Sequence, residues 1–157
     1  MHDHAIRFTY LSQEEFLQAG CLDFNLAIDS AEQALLAFKA GKVMFPDKIV
    51  QIFDQETQER INCLPATLTE QGICGVKWVS VFPPNVPRFG LQNLTAVFIL
   101  SEIEKGVPLA FMEGTLGSAS KLILPPILDI VRCMPSESCR GSFWPSFQSE
   151  RKCVGIL

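Results

Sequence analysis

At 157 residues the chain has the length of a single domain able to bury a sizeable core, and with 48% hydrophobic against 19% charged residues it is more apolar than most. A net charge of −4, a pI near 5.2 and the lack of any Lys and Arg cluster exclude a nucleic-acid-binding surface. No apolar run reaches ~18 residues and the start, Met1-His2-Asp3-His4, is polar, so neither a membrane span nor a signal peptide is expected and the chain reads as cytoplasmic. The six cysteines (Cys21, Cys63, Cys74, Cys133, Cys139, Cys153) contain no CxxC pair and have no histidine nearby, so reduced thiols are expected rather than a zinc site or a disulfide framework. His2 and His4 read as incidental to a polar terminus, with no metal role.

In chain order, residues 7–11 form a short strand. Ser12 with Glu15 three residues on is a capping box, which satisfies two backbone N–H groups at once and opens a helix ending at Gly20. Asp23 can cap the next helix. There Ala27, Ala31, Leu35 and Phe38 recur at helical spacing, Ile28 and Ala34 widen the stripe, and Gly41 ends the run; this stripe is expected to face the core. Residues 43–46 lead into a strand at 48–53, the polar segment 54–59 turns, and 60–64 returns as the hairpin partner. Lys48 lies at the mouth of this hairpin, either as a solvated surface lysine or as part of a site.

Residues 72–82 organise the rest. Eleven residues without proline, rich in Val, Ile and Trp and bounded by Gly72 and the Pro83-Pro84 pair, predict a strand buried on at least one face. Because side chains alternate, Ile73, Gly75, Lys77, Val79 and Val81 share one face, and Cys74, Val76, Trp78, Ser80 and Phe82 the other. Lys77 thus projects from an otherwise apolar face. An ammonium taken out of water without a partner costs several kcal/mol, so it needs a partner or a polar cleft, and a cleft that binds a carboxylate would satisfy it. The alternative is an edge strand from which Lys77 reaches solvent along its stem.

Residues 82–90 are too rich in proline for regular structure and predict an ordered loop, in which Arg88 could contact an anion. Residues 94–100 form a strongly apolar strand, 101–106 a turn and 108–112 its neighbour; residues 113–117 follow as a turn that opens a helix. The fold class is α+β, with two N-terminal helices packed on a mixed, largely antiparallel sheet. Near Ser118 the character changes. Pro125-Pro126 breaks a beginning helix, and 133–151 mixes Ser, Cys, Pro and Trp without a period, so an irregular C-terminal tail is expected.

The sequence resembles the N-terminal half of the ornithine cyclodeaminase and mu-crystallin family. The residues that carry the resemblance are Tyr10-Leu11-Ser12-Gln13-Glu14, Asp23, Ala27-Ile28, Pro46-Asp47-Lys48-Ile49-Val50, Leu64-Pro65-Ala66, Gly75-Val76-Lys77-Trp78-Val79-Ser80, Pro108-Leu109-Ala110-Phe111-Met112 and Gly114-Thr115-Leu116. It covers roughly residues 7–121, so the chain divides into a substrate-binding and dimerisation domain at 1–121 and a divergent tail at 122–157. In the family a Rossmann domain that binds NAD or NADP follows, and residues 152–157 look like its first strand, with no glycine fingerprint after it.

The resemblance implies that Lys77 contacts the substrate carboxylate region and the reacting carbon, and that Lys48 stands near a basic residue of the first hairpin. It also implies a carboxylate-binding arginine in a Met-Arg-Thr motif, but the same offset here gives Ser120-Lys121, and a lysine lacks the arginine's bidentate fork. The implied activity is NAD- or NADP-dependent deamination, cyclisation or imine reduction. The implied partners are an amino or imino acid and a second copy in a homodimer, with no nucleic acid and no membrane. No cofactor is expected to bind this chain alone, which is expected to be inactive by itself. The alternative is a noncatalytic remnant that only dimerises or binds an amino acid.

Overall fold

The computed structural model describes residues 6–116. Lys121 and the expected tail at 122–157 lie outside the described residues, as do His2 and His4. Seven strands form one sheet, and three helices accompany it: β1 (Thr9–Leu11), α1 (Gln13–Gln18), α2 (Phe24–Lys39), β2 (Val43–Met44), β3 (Ile49–Asp54), β4 (Glu59–Leu68), β5 (Ile73–Val81), α3 (Asn85–Phe89), β6 (Leu94–Glu102) and β7 (Pro108–Glu113). The strand order is β1-β7-β6-β5-β4-β2, with β3 also paired to β4. Every pairing is antiparallel except β1 with β7, which makes the sheet mixed and the class α+β, as expected.

The helix ends follow from their residues. Ser12 Oγ accepts from the Glu15 N–H at 3.4 Å while Glu15 Oε2 accepts from the Ser12 N–H at 2.8 Å, so the capping box forms. Asp23 Oδ1 accepts from the N–H groups of Asn25 and Leu26 at the start of α2. At the other end the Lys42 N–H donates to Ala37 O and the Gly41 N–H to Phe38 O, a Schellman close that needs Gly41 at a φ of 70°.

The stripe expected on α2 is only half right. Ala27, Ser30, Ala31 and Ala34 are buried, whereas Ile28, Leu35 and Phe38 are exposed. Small residues let the helix axis approach the sheet closely, and the larger ones one position round the helix are left facing away.

The core is a single layer between the helices and one face of the sheet. Phe16 of α1 and Ala31 and Ala34 of α2 meet Ala66, Leu68, Phe98, Leu100, Ala110 and Met112 from β4, β6 and β7. On the sheet face opposite α1 and α2, Trp78 and Ile99 are exposed while Tyr10 stacks on Phe111 with ring centroids 6.1 Å apart.

Two boundaries differ from the sequence reading. Strand β4 runs on through Pro65 to Leu68. Its outer edge pairs with β3 up to Cys63 and with β2 from Thr67, so Pro65 lies in the gap between the two edge strands, where its missing N–H breaks no ladder bond. Residues 85–89, expected to be loop, form the short helix α3. Proline is tolerated in a first turn because those N–H groups have no intrahelical partner in any case.

Two of the three hairpin turns are held by a carboxylate. Asp54 accepts from the Thr57 and Glu56 N–H groups at 2.9 and 2.8 Å, and these bonds, that from Thr57 first, hold its carboxyl below the usual range. For Glu102, burial pushes the other way, but N–H bonds from Val107, Lys105 and Glu104 outweigh it and its carboxyl is also lowered.

Candidate functional site

Lys77 stands at the middle of β5, and β5 is interior. It pairs with β4 over nine positions and with β6 over nine more, so the edge-strand reading of Lys77 is overturned. The odd-numbered face of β5 is the one the helices cover, and Lys77 is 0% exposed. Leu64 lies opposite it on β4 and Phe98 opposite it on β6. Its Nζ sits 5.3 Å from the centroid of the Phe98 ring, within the range of a cation–π contact. Gly75 and Val79 flank it on the strand, and Gly75 has no side chain to occupy the space beside the lysine stem.

A register row runs across the sheet through this point: Leu64, Lys77, Phe98, Met112 and Leu11 are successive partners on five strands. Lys48 directly precedes Ile49, which pairs with Cys63 as the first β3 residue of the ladder, and so lies just outside the sheet. Lys48 is exposed where Lys77 is buried. Lys121, the third base expected, lies outside the described residues. Arg88 does not join Lys77, since it faces Glu59, with Nη1 3.8 Å from Oε1.

The Gly114-Thr115 pair is tied to β6 near this row. The Gly114 N–H donates to Ala96 O at 2.8 Å and the Ala96 N–H donates to Thr115 Oγ1 at 3.1 Å, which pins the turn to β6 two residues before Phe98. A Cβ on Gly114 would lie 2.6 and 2.8 Å from two carbons of the Phe98 ring. Sequence reasoning singled out Gly114 as part of a motif and passed over Phe98 as one more apolar strand residue. The register that sets Phe98 against Lys77 could have exposed it, but the segment joining β5 to β6 is too long for a tight turn to fix that register.

Chemically, a buried ammonium on a rigid strand suits a small anionic group such as a carboxylate. Among the described residues no group of three or more His, Cys, Asp or Glu could hold a metal ion, and no helix is long and apolar enough to cross a membrane.

Residues 13–121 match the ornithine cyclodeaminase/mu-crystallin family. The chain belongs to that family. The matched stretch includes α1, α2, the sheet from β2 to β7, Lys48, Lys77 and Gly114. Among relatives, the alanine dehydrogenase of Archaeoglobus fulgidus is 33% identical over 105 residues, which is 67% of this chain and 30% of that protein. Among solved structures, an archaeal alanine dehydrogenase dimer with bound NAD superposes with a TM-score of 0.63 at 31% identity, over 71% of this chain and 32% of that one. The Thermococcus litoralis Delta(1)-pyrroline-2-carboxylate reductase in complex with NADH and L-proline gives 0.64 at 28% identity, over 71% and 33%. The chain spans about a third of the length of these family members.

Proposed function

We propose that this chain provides the substrate side of an NAD- or NADP-dependent enzyme that oxidises an amino acid or reduces an imine. In this reading Lys77 contacts the substrate at its carboxylate and reacting carbon, and Lys48 and Lys121 supply further positive charge around it. One observation carries the proposal: Lys77 is 0% exposed at the centre of a doubly paired strand, inside the stretch that matches the family. A buried ionisable group of that kind marks a candidate site, and a substrate carboxylate is the ligand the family reading supplies. The end of the matched stretch at residue 121, together with the change of composition beyond it, supports a substrate domain at 1–121.

The nicotinamide supplies or accepts the hydride when bound. The described residues do not fit a dinucleotide, since no helix among them follows a strand across a glycine-rich turn. Its binding is therefore assigned to the two thirds of the relatives' length that this chain does not match. Titration calorimetry with L-proline and L-alanine tests the substrate side. Saturable binding is expected in wild type, with no NADH turnover by the 157-residue chain alone, because a nicotinamide that is not held forfeits effective molarities of order 10⁵ M. NADH turnover that disappears in Lys77→Ala would contradict this and place a cofactor site within the chain.

The alternative, a noncatalytic protein that binds an amino acid or only dimerises, rests on the same length comparison. It is distinguished by mixing the chain with a separately produced nucleotide-binding portion of a relative and looking for turnover.

A homodimer is part of the proposal. Strand β6 lies between β5 and β7 with both edges paired, so its edges are not the surface. The surface favoured is the sheet face opposite α1 and α2, where Trp78 is 39% exposed beside Ile99, with Tyr10 and Phe111 further across. Trp78→Glu is expected to convert a dimer to a monomer in light scattering at tens of micromolar, on order of magnitude. A wild-type monomer under those conditions would remove the dimer from the proposal.

A further inference from the structure

We propose that Phe98 is a positioning residue for Lys77, its ring face seating the ammonium at the depth where it meets substrate, and that Gly114 is glycine because that ring needs the space. This deepens the functional reading above and rests on it.

Four observations converge. Lys77 and Phe98 are direct partners across β5 and β6, and both are 0% exposed, so neither can move away without opening the core. Nζ lies 5.3 Å from the ring centroid, over its face. The Gly114 Cα stands so close to the ring that a Cβ there would meet it at 2.6 Å, far inside van der Waals contact. The Gly114 N–H and Thr115 Oγ1 bonds to Ala96 hold the turn at that distance. The ring is thus in contact with both a fixed backbone and a cation.

The chemistry of the seat matters for the task. An aromatic face attracts the ammonium through its quadrupole. The ring also fixes the stem of a side chain that otherwise has four rotatable bonds, and less order then has to be imposed when a ligand arrives.

The test uses the 157-residue chain with ¹³C-labelled lysine ε-methylenes, the Lys77 signal being assigned by its loss in Lys77→Met. In wild type that signal is expected upfield of the other lysines, displaced by the ring current, with nuclear Overhauser contacts to the Phe98 ring protons. Phe98→Met should return it to the ordinary lysine position and weaken L-proline binding about 5- to 30-fold. Phe98→Tyr should keep both. Met112→Leu, which alters a neighbour in the same row without touching a ring, should leave both as in wild type.

A wild-type Lys77 signal that is not displaced and shows no contact to the ring overturns the proposal, even if Phe98→Met does not fold. So does a folded Phe98→Met in which signal and affinity are unchanged. If the signal responds as stated but no form of the chain binds L-proline, the positioning stands and the substrate reading fails.

Discussion

Replacing Lys77 with methionine is expected to weaken binding of an amino acid carboxylate about 10- to 100-fold while the domain remains folded. The two halves of that result come from one fact, the 0% exposure of Lys77. Burying an ammonium sets several kcal/mol of lost hydration against whatever partners the interior provides. Exchanging a whole buried ion pair for apolar side chains is often neutral or stabilising by about 1–4 kcal/mol, whereas removing one partner costs about 3–5 kcal/mol, so the stability change reports how far the interior depends on the Lys77 charge. Methionine keeps the unbranched stem between Gly75 and Val79 and against the Phe98 ring, so little packing is lost. A charge-assisted hydrogen bond to a ligand is worth about 1.5–3 kcal/mol, which converts to the stated loss of affinity. Urea unfolding and calorimetry with L-proline, run on the same preparations, check both halves. A variant that binds as wild type would remove Lys77 from the site; one that is destabilised by several kcal/mol would show that its charge is structural.

Phe98→Ala is expected to cost about 3–5 kcal/mol, the range for deleting a buried aromatic ring whose site cannot collapse. Collapse is resisted on every side here. Register neighbours Lys77 and Met112 are fixed in continuous ladders, and the Gly114 turn is bonded to Ala96. Against a total stability of ~5–15 kcal/mol, such a loss approaches unfolding of the domain. A double-mutant cycle sharpens the prediction. Gly114→Ala alone should cost about 1–3 kcal/mol through overpacking against the ring, and close to nothing in the Phe98→Ala background, where the obstructing carbons are gone. Additive losses in urea denaturation would contradict the contact of ring and backbone.

The parts of this molecule that could be read from sequence are those set by local chemistry. The Ser12-Glu15 box, the Asp23 cap, the Gly41 stop and the alternation that puts Lys77 on one face and Trp78 on the other depend on residues a few positions apart, and all are present. What failed depended on neighbours far along the chain. Pro65 looked like a strand end because nothing local says that two different edge strands leave a gap beside it. The wide apolar stripe of α2 looked like core because periodicity does not reveal which residues, Ala31 or Leu35, the sheet will meet. Phe98 was missed for the same reason, since its value lies in a cross-strand register. The resemblance to the family named Lys77, while the structure supplied what surrounds it.

The most direct test of the central claim, that the buried face around Lys77 receives an amino or imino acid, is to map L-proline binding residue by residue on the full chain by ¹H–¹⁵N NMR. The account predicts saturable shift changes centred on Lys77, Phe98 and Gly114 and extending to Lys48, with the Trp78 face unmoved. Changes confined to the Trp78 and Ile99 face, or no saturable change at all around Lys77, would contradict it.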